Sequence, residues 1–480
     1  MRDYVLLYIN GQRHAARGSA GFGSLSDFVR STTRLTGTKV VCAEGDCGSC
    51  TVLIGRPQDG QVVYRPVTSC IQYVAQLDGA HVITVEGLGN RHALSAVQQA
   101  MVTEHGAQCG YCTPGMVVAL TALFEQSAEP SRHEVCRALV GNLCRCTGYE
   151  SILAAAAHMD RAQWRPLGDV YPSQQMLAEL EQAKASSLEV VDGRRRAFKP
   201  ATLAEAVRWR AAHPEATILA GGTDLGVAWN KGKREVASLL CLAEVPELNR
   251  CALAEGTWMI GAATTIAEVE RAAIELLPAY AALLERFGSP PIKNAGTVGG
   301  NLANGSPIGD TMPALFVLDA EVELVSPRGA RRVNMNQFYS GYRQTVLAAD
   351  ELIAAVAVPL PEANEVFTAC KVSKRRDLDI STFTAALWMH LAGDSIRAAR
   401  IALGGVAATI LRLPRTEAWL SERTLSEETM RQAGQIAREE IAPISDVRGS
   451  AAYRTLLAEN ILLKMARDLL DRRVVASQGG

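Results

Sequence analysis

Aromatic residues are scarce in this 480-residue chain, at 5%. Excess charge is absent too: 49 Lys and Arg against 50 Asp and Glu leave a net charge of −1. No basic surface of the kind that nucleic acid or an anionic membrane demands is therefore expected. No apolar run approaches the length of a membrane-spanning helix without a charge, so none is expected. The start, Met1-Arg2-Asp3-Tyr4-Val5, runs straight into a strand pattern and lacks the apolar stretch of a signal peptide. No GxGxxG motif occurs, which disfavours a Rossmann dinucleotide site. These absences, with 48% hydrophobic residues, predict a cytoplasmic α+β protein of several domains.

What is present is sulfur. Nine of the 12 cysteines lie in the first 150 residues, eight of them in two sets of four. Cytosolic thiols stay reduced, so clustered ones read as metal ligands. Cys42, Cys47 and Cys50, followed by Cys70, have the plant-type ferredoxin spacing. Gly45 and Gly48 lie between them and permit the positive φ values that wrapping a small cluster requires. A four-thiolate zinc site is the alternative, although zinc prefers paired CxxC units. The second set, Cys109, Cys112, Cys144 and Cys146, is ambiguous alone. A CxxC and a CxC could make an iron–sulfur site, a zinc site or a redox dithiol.

Periodicity organises the rest. Residues 4–17 read as a hairpin turning at Asn10-Gly11. Ser24–Leu35 reads as a short helix, and Thr51–Ile54 and Val82–Val85 as strands. Ala93–His105, a helix opening at Pro114 with Thr113 as its N-cap, a third after the capping box at Ser131, and Glu150–Met159 form four helices. Residues 161–190 read as a linker, partly helical near 175–184. Strands and helices then alternate to about 360. Strand-like runs occupy 365–410, and 417–475 is largely helical. Cys136 falls on the third helix as a small hydrophobe.

Two glycine-rich segments follow. In the first, Ile218, Leu219 and Ala220 lead to Gly221 and Gly222, then Thr223, Asp224 and Leu225. Such a turn after a strand can free N–H groups for a pyrophosphate. The second runs from Gly296 to Asp310 and cannot be a regular element, so it reads as a functional loop. The charge run Lys374–Asp379 precedes an apolar strand.

The segments Cys42–Cys50, Gln108–Gly115 and Gly141–Tyr149 resemble the xanthine oxidase family of molybdenum hydroxylases, and the resemblance continues through the chain. It implies a β-grasp ferredoxin-like 2Fe–2S domain (1–90) and a four-helix 2Fe–2S domain (91–160). After the 161–190 linker it implies a vanillyl-alcohol-oxidase-type α+β FAD domain (191–362) and a C-terminal α/β subdomain (363–480). Each cysteine set would hold one 2Fe–2S cluster, with Gln108 at the molybdenum-facing end. FAD would be held by residues Ile218 to Leu225 and by Thr297, Val298, Gly299, Gly300 and Asn301. Asp310 would fix its sugar or phosphate end, while Phe287, Leu378, Asp379 and Arg397 would lie near the flavin. Phe287 on its own reads as a core aromatic.

The resemblance also implies a division of labour. The family's molybdopterin domain is not in this sequence, so the substrate site would lie on a large partner subunit, with an α2β2 heterotetramer as the expected assembly. No residue here would be catalytic toward substrate. Electrons from hypoxanthine or xanthine oxidation to urate would pass through both clusters to FAD and on to NAD⁺. Service to an aldehyde or N-heterocycle hydroxylase, or use of O₂ as acceptor, are the alternatives within the family. A zinc-stabilised interaction protein is the alternative outside it.

Overall fold

The computed structural model describes residues 1–89, 92–171, 173–235 and 237–478, so the boundary expected between residues 90 and 91 lies outside the described residues. The architecture is mixed α+β. Two compact units divide the chain: Met1–Leu248 with Ser289–Gly296, and Asn249–Gly288 with Thr297–Gly480. The division at Leu248 falls within the stretch 191–362.

The first unit begins with a five-stranded mixed sheet. Its strands are β1 (Val5–Ile9), β2 (Gln12–Ala16), β3 (Thr51–Gln58), β4 (Gln61–Thr68) and β5 (Ala80–Ile83), in spatial order β2-β1-β5-β3-β4. β1 and β5 run parallel. Asn10 and Gly11 both adopt positive φ, 49° and 79°, as a type I′ turn requires. β1 is apolar at every position because both of its faces are covered. Val5, Leu7 and Ile9 pack with Phe22, Leu25 and Phe28. Leu6 and Tyr8 face Met176, Leu180 and Ala183 of helix Gln174–Lys184. Each such side chain contributes about 1.5–3 kcal/mol. Residues 174–184, expected within a linker, are thus part of the packed layer. The Ser24–Leu35 region is only one helical turn, Leu25–Asp27, continued by a π-turn over Phe28–Thr32.

Four helices follow: Ala96–Thr103, Thr113–Phe124, Arg132–Leu139 and Glu150–Ala157. Capping boxes at Ser95/Gln98 and Ser131/Glu134 open the first and third. Thr113–Phe124 is apolar almost all round because it is covered twice. Met116, Val117 and Leu120 enter the helical core, while Val118 and Ala122 meet Leu53 and Ile83 of the sheet. A four-stranded sheet ends the unit, in the order Leu188–Asp192, Arg195–Lys199, Ser238–Cys241, Thr217–Leu219.

One buried carboxylate ties these layers together. Asp78, 0% exposed, accepts from both terminal nitrogens of Arg2, from the Leu6 N–H, and from Lys199 Nζ at 2.7 Å. Removing one partner of such a set costs far more than the set contributes.

The second unit holds two large antiparallel sheets and a two-stranded one, Tyr339–Gly341 with Gln344–Thr345. Five strands are ordered Cys251–Ala254, Thr257–Gly261, Leu352–Pro359, Glu321–Ser326, Gly329–Asn334. Trp258, Ile260, Val322 and Val356 pack with Ile266, Val269 and Leu284 from helices Ile266–Leu276 and Pro278–Glu285. The other sheet is Glu365–Val372, Phe383–Ala392, Ser395–Gly404 and Leu411–Arg412, with helix Ala451–Gln478 on its core. Among the described residues no helix is long and apolar enough to cross a membrane.

Candidate metal and cofactor sites

The first thiol set sits on an irregular loop between the π-turn and β3. Ala43, Gly45 and Gly48 adopt φ of 55°, 83° and 67°, so the chain winds round on itself. Cys50 and Cys70 are buried, and Cys42 and Cys47 half-buried. Cys70 lies in the turn after β4, and Ser69 fixes that turn by donating from N–H and Oγ to the Cys50 carbonyl, at 3.3 and 2.7 Å. The thiols come within hydrogen-bonding reach: Cys42 with Cys47 and Cys70, and Cys50 with Cys70. The Cys47 and Cys70 donors hold the Cys42 thiol well below the usual thiol range, and Cys70 lowers Cys50. Cys47 and Cys70 are themselves raised, first by those same bonds. The Glu44 N–H also points at Cys42 Sγ, at 3.4 Å. Two sulfurs disposed to ionise and two disposed to hold a proton form one shared donor set.

The second set is built on helix ends. Cys112 is the N-cap residue of Thr113–Phe124, one position before the expected Thr113. Thr113 is already helical, and its Oγ1 is buried without a partner. The thiols pair as Cys112 with Cys144 and Cys109 with Cys146. Burial first, then Cys144, pushes the Cys112 thiol up to about 12. The Cys144 thiol is lowered, because bonds from Thr147 outweigh its burial. Its N–H donates to Tyr149 Oη at 2.9 Å. Cys109 and Cys146 are exposed, as is Gln108.

Among the described residues no three His, Cys, Asp or Glu side chains are grouped to hold a single ion. Each set instead supplies four sulfurs: linked through Cys42 and Cys70 in the first, and in two pairs in the second. A binuclear iron–sulfur cluster takes four thiolates across two irons, so the donors present fit such a group.

The first glycine-rich segment also lies in the first unit. Gly222, at φ 74°, opens helix Thr223–Asn230. Gly221 is obligatory for packing: a Cβ there would fall 2.0 Å from the Ala295 carbonyl oxygen. Buried Gln72 and Gln76 donate to the Gly221 carbonyl at 3.3 and 3.5 Å. As at any helix start, the first N–H groups have no intrahelical carbonyl to bond, and an anion can use them. Ile218 and Asp224 are exposed, and Leu219 is buried in the strand. The helix is anchored on the first thiol loop. Asn230 Nδ2 donates to the carbonyls of Cys70 (2.8 Å) and Ala43 (2.9 Å), and Tyr73 Oη donates to that of Leu225 (3.2 Å).

The second segment behaves differently. Thr297 caps helix Val298–Asn304, accepting from the Gly300 N–H. The Val298 and Gly299 N–H groups are taken by the carbonyls of Thr264 and Ala262. Asn301 Oδ1 accepts from Thr311 Oγ1 at 2.5 Å. Asp310 is only 6% exposed and bonded inward, to Lys371 Nζ at 2.7 Å and Ser381 Oγ at 2.5 Å. Leu378, at φ 67°, and Asp379, which accepts from the Arg375 N–H at 2.6 Å, lie just before Ser381. Asn301, Asp310 and the 378–381 turn are therefore brought together. Arg397 is not among them. It is ion-paired with Glu422 at the start of Ser395–Gly404, whose other end lies beside Pro307, about 23 Å along the strand. Phe287 is half-buried against the core of its unit.

Sequence reasoning missed Lys371, Ser381, Gln72, Gln76 and Asn230. A lysine inside the apolar strand run Phe367–Val372 was the one readable signal.

Three family models match this chain. They are the [2Fe-2S] binding domain over residues 84–157, the FAD binding domain in molybdopterin dehydrogenase over 193–361, and the CO dehydrogenase flavoprotein C-terminal domain over 368–469. The xanthine dehydrogenases of Emericella nidulans and Drosophila pseudoobscura pseudoobscura are 27% and 30% identical, each aligning with 98% of this chain. The chain spans 39% and 40% of their respective lengths. Among solved structures, carbon monoxide dehydrogenase from Hydrogenophaga pseudoflava superposes with a TM-score of 0.54 at 28% identity, over 56% of this chain and 95% of that one. Quinoline 2-oxidoreductase from Pseudomonas putida gives 0.53 at 28%, over 56% and 94%.

Proposed function

With these matches supporting a place in the xanthine oxidase family of molybdenum hydroxylases, we propose that this oxidoreductase chain is the iron–sulfur and flavin small subunit of a xanthine dehydrogenase. The carrying observation is the anchoring of the flavin-loop helix on the first thiol loop through Asn230 and the Cys70 carbonyl. Two 2Fe–2S clusters are assigned, one to Cys42, Cys47, Cys50 and Cys70, the other to Cys109, Cys112, Cys144 and Cys146. FAD, when bound, supplies the conversion between one-electron and two-electron transfer. Gly222, Thr223 and Asp224 offer N–H groups to its diphosphate. Thr297 to Asn301 offer a capped helix start whose glycines keep side chains out of the way. Asp310 acts indirectly, holding Lys371 and Ser381 and so setting the 378–381 turn.

The substrate site is assigned to a large molybdenum-cofactor subunit, NAD⁺ to the electron acceptor, and α2β2 to the assembly. Alignment of xanthine dehydrogenases over 98% of the chain supports this choice, since both halves align in one stretch. Similarity to quinoline 2-oxidoreductase and to CO dehydrogenase favours a second reading, service to another heterocycle or aldehyde hydroxylase. Purification of the chain with its molybdenum-containing partner and assay of xanthine-dependent NAD⁺ reduction tests both. Xanthine turnover upholds the first, and turnover of a different heterocycle with none of xanthine replaces it. A colourless, zinc-loaded chain sinks the whole reading.

A further inference from the structure

The two thiol loops touch, and the contact is built from backbone. The Leu143 N–H donates to the Cys47 carbonyl at 3.0 Å. Cys47 belongs to the first set, and Leu143 immediately precedes Cys144 of the second. One hydrogen bond thus completes an otherwise covalent path from one sulfur to the other. It runs from Cys47 Sγ along its own backbone to the carbonyl, across to the Leu143 amide, and on through the Cys144 backbone to Cys144 Sγ.

The approach is enforced from three sides. A Cβ on Gly48 would fall 2.2 Å from the Gly141 carbonyl oxygen, and one on Gly115 would fall 2.1 Å from the Gly48 carbonyl oxygen. Two loops and the first turn of helix Thr113–Phe124 meet where only glycine fits. Asn142 then fastens the contact. Its side chain is 2% exposed and donates from Nδ2 to the Gly48 carbonyl at 3.1 Å and to Thr51 Oγ1 at 3.2 Å. Its Oδ1 is buried without a partner. The amide cannot turn over, because Oδ1 would then face the Gly48 carbonyl oxygen. Buried polar groups are ordinarily satisfied, so an asparagine kept here with half its capacity unused is held for position. Asn142-Leu143 lies along Cys47-Gly48 with two parallel hydrogen bonds, one from backbone and one from side chain.

We infer that Asn142 is the positioning residue for the Cys47–Leu143 contact, across which an electron would pass between the two clusters. This rests on the two-cluster reading above. Such a transfer would oxidise the donor cluster by one electron and reduce the acceptor by one. Neither the carbonyl nor the amide changes protonation, so no proton accompanies it.

The test uses the full iron-loaded chain. Iron content and electron paramagnetic resonance establish whether four irons in two distinct clusters are present. Photoreduction then times equilibration of the electron between them. Asn142→Ala and the isosteric Asn142→Asp, which cannot donate to Gly48, are expected to slow equilibration on the order of 10- to 100-fold, the scale set by misplacing reacting groups by about an ångström. Iron content and each cluster's own signal stay unchanged. Thr51→Val, which removes one of the two anchors, gives a smaller slowing and stands in if the Asn142 variants fail to fold. Two clusters that equilibrate at the unmodified rate in these variants overturn the inference alone. A chain with a single cluster overturns the reading beneath it as well.

Discussion

The two thiol sets contain the same number of sulfurs but are held in opposite ways. The first is wound into the edge of a sheet, with Cys50 and Cys70 buried and the Ser69 bonds closing it. The second hangs on helix ends, with Cys109 and Cys146 exposed. One site is thus part of its domain's core and the other is mounted on a domain with a core of its own, formed by Met116, Leu120 and Ile152 among others. The difference suits the proposed roles. A centre that exchanges electrons with another polypeptide gains from exposure, and one that hands them to a flavin within the same chain gains from burial.

Cysteine substitution makes the sharpest test of this contrast. Cys70→Ser is expected to cost about 4 kcal/mol or more, in the range where loss of a metal site falls, and to remove half of the bound iron. Cys146→Ser should remove the same amount of iron while costing only about 1 kcal/mol. Equal losses in chemical denaturation would erase the distinction.

Acid provides the next test. His81 is buried, and burial lowers its pKa from 6.5 to about 3. Below pH 6.5 the unfolded chain takes up a proton that the folded one refuses, so stability falls as pH falls, by about 1.4 kcal/mol per unit until about pH 3. Its partners are Tyr64 Oη and the Gly11 N–H, both in the sheet under the first set. Denaturation midpoints at pH 7 and pH 5 should therefore separate by about 2 kcal/mol, and His81→Gln should remove that part of the drop. An unchanged slope would show that the sheet is not what fails.

Tyr149→Phe takes the acceptor from the Cys144 N–H and should cost about 1 kcal/mol, altering the spectrum of the second set only. Arg397→Ala closes the series. Its exposed pair with Glu422 contributes under about 1 kcal/mol, and flavin content should not change. Loss of FAD from that variant would restore Arg397 as a flavin residue.

What could be read in advance was local. Asn10-Gly11 announced its turn, Ser131 its capping box, and Cys42-x4-Cys47-x2-Cys50 its loop. What could not be read was long-range. Asn142 looks like any loop asparagine until Gly48, ninety-four residues earlier in sequence, is found against it. The two glycine-rich segments looked alike, yet the second spends its Val298 and Gly299 N–H groups on the Thr264 and Ala262 carbonyls, while the first sets Gly222 at the start of a helix. Glycine content reports that something comes close, not whether it is a ligand or another piece of backbone. The same limit applied to Asp310, whose type suggested a cofactor contact and whose oxygens meet Lys371 and Ser381.

Asp78 sets a timetable for synthesis. The sheet that surrounds the first thiols has all its strands by Ile83, but its buried carboxylate has only Arg2 and the Leu6 N–H until Lys199 exists. At the usual pace of translation those further residues take roughly 6–24 s. For that interval the buried acid lacks the second of its two cationic partners. The five-stranded sheet, made before the four-stranded one, is therefore not finished before it: it waits on a lysine from the sheet that follows.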